Sequence, residues 1–199
     1  SNFVERLPML RVAFERVAVA CTEDLAAVSE QPPQVILQGI ESGIAADLLG
    51  AHDGKSAVGV LHAAKWNARL LASADRDAVF AIVETMLGGD GSHQAQAPDR
   101  PLSRIEMRVV GAFFDRVAKA LEEGFGNVAD TTFAVEGTAE EVDYDVIGRR
   151  NNSIVVAKFR LEGASRGGEI LIAVTRAALN PLRQVLGRTP TKEAPTADA

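Results

Sequence analysis

The chain repeats itself at an offset of 100 residues, and that repeat restricts the folds open to it. Phe14-Glu15-Arg16-Val17-Ala18 returns as Phe114-Asp115-Arg116-Val117-Ala118. Arg69-Leu70-Leu71-Ala72 is answered by Glu169-Ile170-Leu171-Ile172, Arg76 by Arg176, and Met86-Leu87-Gly88 by Val185-Leu186-Gly187. Shared order at nearly constant spacing marks a duplicated unit, not unrelated amphipathic segments. A half of this size leaves one face of a short sheet bare. Two halves can pair their sheets and cover them with helices in one layered core.

Each half reads as helix, three strands, helix. In the first, Leu7, Leu10, Phe14, Val17, Cys21, Leu25 and Val28 recur at steps of three and four, which places them on one helical face. Pro8 is tolerated only near the helix start, and Pro32-Pro33 end it by about Ser29. Val35–Leu37, Ala57–His62 and Ala68–Ala72 are strand-like, punctuated by Gly54 and Asn67, while 40–49 carries no clear period. Asp75 to Leu87 predicts a helix with Val79, Ile82, Val83, Met86 and Leu87 on one face, stopped by Gly88-Gly89.

Residues 88–101 are rich in Gly, Gln, Ala, Pro and Ser and read as a flexible linker between halves 1–91 and 100–187. Ser103 then opens a second long helix, with Glu106 placed three residues on to complete a capping box. Met107, Val110, Phe114, Val117 and Leu121 form its apolar stripe, widened by Ile105, Val109 and Phe113, and Gly124 with Gly126 end it. Thr132–Val135, Ile154–Leu161 and Glu169–Val174 are strand-like, and Arg176–Leu186 is a closing helix. Residues 188–199 are Pro, Thr and Ala rich and predict a disordered tail. The expectation is one pseudo-twofold domain over 1–187, of α/β or α+β class, built as an α/β/α sandwich.

A net charge of −6 gives no basic face for phosphate backbones, so nucleic acid is not an expected partner. One cysteine, Cys21, cannot form an internal disulfide and fits a reducing, cytoplasmic setting. No apolar run approaches the roughly 20 residues that span a bilayer.

The search for chemistry finds no catalytic constellation. His52, His62 and His93 belong to no HExxH and no Cys/His cluster, so no metal site is expected. Cys21 lies in a helix stripe and reads as a buried, inert thiol. Gly88-Gly89-Asp90-Gly91 follows a helix and lacks the Lys of a phosphate loop, which leaves a helix cap and turn, or a loop that contacts a protein. Glu140–Asp145 is acidic but matches no calcium-loop spacing, so a solvated strand edge or hairpin is expected. Arg149-Arg150 is too small a basic patch for nucleic acid. No cofactor and no small-molecule substrate are indicated.

Three segments together resemble a known family. Glu5-Arg6-Leu7-Pro8-Met9-Leu10-Arg11, Gly88-Gly89-Asp90-Gly91 and Arg100-Pro101-Leu102-Ser103-Arg104-Ile105-Glu106 are similar, in order and spacing, to the middle domain of the FliM family. That resemblance implies a CheC-like duplicated fold and a non-enzymatic role in the flagellar motor C-ring, at the cytoplasmic face of the basal body. It implies that Gly88, Gly89, Asp90 and Gly91, with Arg100 nearby, contact FliG, and that the long helices contact neighbouring FliM subunits. Ser103 and Glu106 would be structural, with Ser in place of the family's Thr and Leu102 in place of its Phe. The family's FliN-like C-terminal domain and CheY-binding N-terminal peptide have no counterpart here, and the tail from Arg188 resembles the linker toward the former. The segment 138–147 departs from the family pattern.

CheC relatives dephosphorylate CheY with a Glu and, three residues later, an Asn that orients the attacking water. Here Met107 and Val110 stand at those places in the second half, and Glu15 is followed by Ala18 in the first. Apolar side chains cannot orient water, so the phosphatase alternative fails in both halves.

Overall fold

Among the described residues, six strands join into a single antiparallel sheet in the order β1-β5-β6-β3-β2-β4. The computed structural model describes residues 2–88, 97–163 and 167–190. The strands are β1 (Gln34–Ile44), β2 (Ser56–Ala63), β3 (Ala68–Asp75), β4 (Phe133–Ala139), β5 (Ser153–Glu162) and β6 (Gly168–Thr175). The helices are α1 (Asn2–Glu5), α2 (Pro8–Ala26), α3 (Ala45–Leu49), α4 (Arg76–Leu87), α5 (Arg104–Phe125), α6 (Arg176–Leu179) and α7 (Arg183–Leu186). Short 3₁₀ turns occupy Gly50–His52, Tyr144–Ile147 and Asn180–Leu182. Because every pairing is antiparallel, the fold is α+β.

The duplication is visible in the central register. β3 pairs β6 with Ala72 opposite Ile172, residues that the 100-residue repeat makes equivalent. Leu71 opposite Ala173 and Ser73 opposite Leu171 are then related by the same pseudo-twofold. The outer strands are exchanged: β1 of the first half pairs β5 of the second, and β4 of the second pairs β2 of the first. Neither half therefore keeps a three-stranded sheet of its own, which is how the two halves come to share one core.

The central strands are buried on both faces. Ala57, Leu61, Leu70, Ala72, Ala74, Val155, Ala157, Phe159, Ile170, Ile172 and Val174 join α2, α4 and α5 in the larger core. The alternate residues Val58, Leu71, Ile154, Val156, Leu171 and Ala173 pack with Ala45, Leu49, Tyr144 and Ile147 on the other face. Period-two alternation sends successive side chains to opposite layers. The result is the expected three-layer arrangement, with long helices on one side and a short helix plus a 3₁₀ turn on the other.

Several local expectations change. β1 runs to Ile44 and α3 follows at once, so 40–49 splits between strand and helix. An edge strand with Gln, Gly, Glu and Ser on its face carries too few apolar residues to declare itself in sequence. Gly124 does not stop α5; it lies inside it. A Cβ there would stand 2.4 Å from Val17 Cγ2 and 2.8 Å from the Ala13 carbonyl, so its missing side chain is what lets α2 and α5 approach. The closing helix breaks into α6, a 3₁₀ turn and α7, because Pro181 cannot continue an α-helical hydrogen-bond ladder. Val28, Leu87 and Ile105 are exposed and not part of the core stripes. The acidic run is only partly solvated: Val142 and Tyr144 are buried within it. Residues 191–199, within the segment expected to be a tail, lie outside the described residues.

Candidate protein-binding site

The segment that links the halves is anchored at both described ends. On the near side, α4 starts at Asp75, whose carboxylate accepts the Ala78 N–H at 2.9 Å. It stops at Gly88, which adopts φ 79°, a left-handed conformation that glycine takes without a Cβ penalty. On the far side, Ser103 Oγ accepts the Glu106 N–H at 3.1 Å, and Glu106 Oε1 accepts the Ser103 N–H at 2.7 Å. This is the capping box that the Ser-x-x-Glu spacing predicts.

Arg100 locks that box. Its guanidinium donates to Glu106 Oε1 at 2.7 Å and to Oε2 at 3.0 Å, a bidentate pair, and to the Pro101 carbonyl at 3.1 Å. It also sits 5.7 Å from the Phe80 ring centroid, which ties the segment to α4. The Arg100 hydrogen bonds, helped by the Ser103 N–H and outweighing partial burial, pull the Glu106 carboxyl down to about 2. Leu102 N–H donates to Glu140 Oε1 at 2.9 Å, and Arg76 reaches the same oxygen at 3.6 Å.

Arg100, Ser103 and Glu106 are thus brought together in one cluster, and Gly88 caps the helix that packs beside it. Gly89, Asp90 and Gly91 lie outside the described residues. Phe80 and Glu140 were not among the candidate residues in sequence. Phe80 belongs to no motif, Glu140 was read only as part of a solvated acidic run, and folding alone brings them to this place. The same is true of two apolar side chains that flank the segment. Leu87 is 62% exposed and Ile105 is 64% exposed. Both lie on otherwise well-patterned helices, so periodicity assigns them to the core, yet they face solvent.

In this arrangement the polar groups are bound to one another. The Glu106 carboxylate is committed to Arg100 and to the helix cap, so it holds no free site for abstracting a proton or orienting water. Val110, where a phosphatase would need Asn, is fully buried. The Cys21 thiol is buried, and burial together with nearby Asp24 pushes it up to about 12, so it stays protonated. Among the described residues, no helix is long and apolar enough to cross a membrane.

Comparisons with known proteins identify the family and the fold. The family model of the flagellar motor switch protein FliM matches residues 3–191. A FliM of Caulobacter vibrioides is 27% identical over 183 residues, covering 92% of this chain and 49% of that protein. A FliM of Pseudomonas aeruginosa is 27% identical over 112 residues, covering 56% of this chain and 34% of that protein. The chain spans about half the length of the first of these relatives. In structure, it superposes on a chain of the FliG–FliM complex from H. pylori with TM-score 0.81 at 14% identity, covering 90% of this chain and 98% of that one. The FliM middle domain from Vibrio alginolyticus superposes with TM-score 0.78 at 17% identity, covering 89% and 99%. At those identities the structures show the fold alone, that of the FliM middle domain. With a family model covering nearly all of its length, this chain belongs to the FliM family of flagellar motor switch proteins.

Proposed function

We propose that this chain is a non-enzymatic structural and switching module of the flagellar C-ring, that it binds FliG, and that the contact centres on Gly88, Gly89, Asp90 and Gly91 with Arg100 holding the flank. The observation that carries this reading is the anchored segment itself. Exposed Leu87 and Ile105 border it, and the capping box and Arg100 fix its far end. Apolar side chains on a rigid frame offer contact area at little ordering cost, and a glycine-rich connection permits close backbone approach. A structural relative is a FliM held in complex with FliG, which supports the choice of partner.

In this reading Ser103 and Glu106 are structural, and the module sits at the cytoplasmic face of the basal body. Packing against neighbouring FliM subunits would use the outer faces of the long helices. Contacts with FliN, and in the main those with CheY, would fall to other segments of a full-length switch protein. Switching would be a change of packing that a differential affinity of a few kcal/mol can drive.

Titration calorimetry of this chain against the FliG middle domain of the same organism tests the reading, with Asp90→Arg measured alongside. Binding by the parent and loss in the variant, at an unchanged melting temperature, is the expected result. A folded parent chain that binds no FliG overturns it.

A further inference from the structure

The charged cluster beside the linking segment has a counterpart across the repeat, and the counterpart is out of balance. In the cluster already described, Arg76 lies 3.6 Å from Glu140 Oε1 and Arg100 holds Glu106 at 2.7 Å, so two arginines face two carboxylates. The offset of 100 carries Arg76 to Arg176, Glu106 to Arg6 and Glu140 to Ile40. Strand register supports these equivalences. Leu61 opposes Val135 as Leu161 opposes Val35, and beyond the bulge Val58 opposes Ala139 as Lys158 opposes Gly39. Arg76 and Arg176 each follow the capping residue of their helix, Asp75 or Thr175.

Both carboxylates are therefore gone from the counterpart. One has become Ile40, which packs against the larger core, and the other has become a second arginine. A cleft of about 360 Å³ stands there, lined by Phe3, Arg6, Ser42, Ile44, Ser153 and Arg176. Among the described residues no carboxylate lines this cleft, and neither Arg6 nor Arg176 forms an ion pair. Arg176 is steadied by the buried Phe3, whose ring centroid is 4.0 Å from its guanidinium carbon. Ser42 and Ser153, on the paired strands β1 and β5, bring two half-buried hydroxyls to the same place.

A guanidinium does not give up its proton in a protein, so the cleft keeps two positive charges. Where the protein supplies the matching anions in one cluster, a ligand must supply them in the other. We propose that the cleft between Arg6 and Arg176 binds a small dianionic oxyanion, a phosphate group or a short dicarboxylate, in the place that Glu106 and Glu140 fill across the pseudo-twofold. The planar guanidinium fork matches carboxylate and phosphate oxygens, as Arg100 shows on Glu106. The serine hydroxyls are able to donate to oxygens that the arginines leave free. A monoanion such as chloride leaves one of the two charges unmatched.

The test is an amide NMR titration of this 199-residue chain with phosphate, with succinate and with chloride at matched ionic strength, with Arg6→Gln and Arg176→Gln beside the parent. Expected are saturable shifts at Ser42, Ile44 and Ser153 with a dianion and none with chloride, while the amides of Ser103 and Glu106 in the balanced cluster stay in place. Saturation by phosphate alone assigns a phosphate group, by succinate alone a dicarboxylate, and by both a site that selects paired charge. Each variant should bind about tenfold more weakly, the loss of one charge-assisted contact. A parent chain with no saturable shift at the cleft overturns the proposal, whatever becomes of the variants. Binding that persists unchanged in folded Arg6→Gln or Arg176→Gln overturns it as well.

Discussion

Ser73 and Ala173 are equivalent by the repeat, and the halves part company around them. In the first half Ser73 joins Ser56 and His52 in a polar cluster that reaches Glu169 on β6. In the second, Ala173 packs with Ile154 and the apolar turn Tyr144–Ile147, and Arg69 turns outward to pair with Glu136. The helices that follow β3 and β6 diverge in the same way. Asp75 and Thr175 both cap with a bond from the third residue on, Ala78 and Ala178. Yet α4 is a continuous helix, while its counterpart breaks at Pro181.

Packing follows suit. A Cβ on Gly168 would come within 2.4 Å of the Ala78 Cα, so α4 lies hard against β6. The equivalent residue on β3 is Ala68, whose Cβ is accommodated, and a cleft of about 680 Å³ opens there between Trp66, Arg69, Val146, Thr175 and Pro181. The long helices differ at their starts: α5 has a full capping box, while α2 begins after Leu7 with no side-chain cap. Duplication preserves what apolar periodicity enforces, namely strand positions and buried helix faces. It leaves caps, polar pairs and glycine contacts free to specialise, because each depends on only one or two side chains.

Five substitutions at three places sharpen or break this comparison. The largest effect is expected at Phe14 and Phe114, equivalent aromatics that are each essentially buried. Phe14 meets Phe125 edge-on at 5.3 Å, and Phe114 fills the space left by Gly59. Each change to Ala should cost about 3–5 kcal/mol in denaturant unfolding. A loss several-fold smaller at one of them would show that the halves do not share their core equally.

Next comes Gly168→Ala, which should cost about 1–3 kcal/mol through overpacking against Ala78. Its mirror, Ala68→Gly, should cost no more than about 1 kcal/mol. Equal losses would mean that the two helix–strand contacts are alike after all.

The smallest effect is expected at Arg100. At neutral pH an ion pair with a solvent-exposed arginine contributes little, so Arg100→Ala should barely move the melting temperature. The acid side is more telling. Because the Glu106 carboxyl is lowered to about 2, its contribution is present above the ordinary Glu range near 4.5 and is lost as pH falls from there toward 2. Arg100→Ala should flatten that acid limb in a pH series of unfolding curves. An unchanged limb would assign the lowering to the helix cap alone.

Much of this was legible in the chain. The Ser103-x-x-Glu106 box, the Asp75 start, the Gly88 stop and the burial of Phe14, Val17, Phe114 and Val117 all follow from local spacing. Leu87 and Ile105 misled for the same reason. Their spacing fits a stripe, but whether a stripe's end is covered depends on what packs over it. Gly124 misled differently, since a glycine near a helix end reads as a stop unless the neighbouring helix is known to press against it.

The sequence by itself determined the duplication, the order of the long helices and central strands and most of the buried faces, because periodicity and capping act over three or four neighbouring residues. The tertiary structure alone decided that β1 and β4 change partners across the pseudo-twofold. It also decided that Phe80 and Glu140 brace the linking segment, and that His52 meets Glu169, 117 positions away. Such meetings depend on how whole layers stack and which register the central strands adopt, and no local pattern of side chains encodes either.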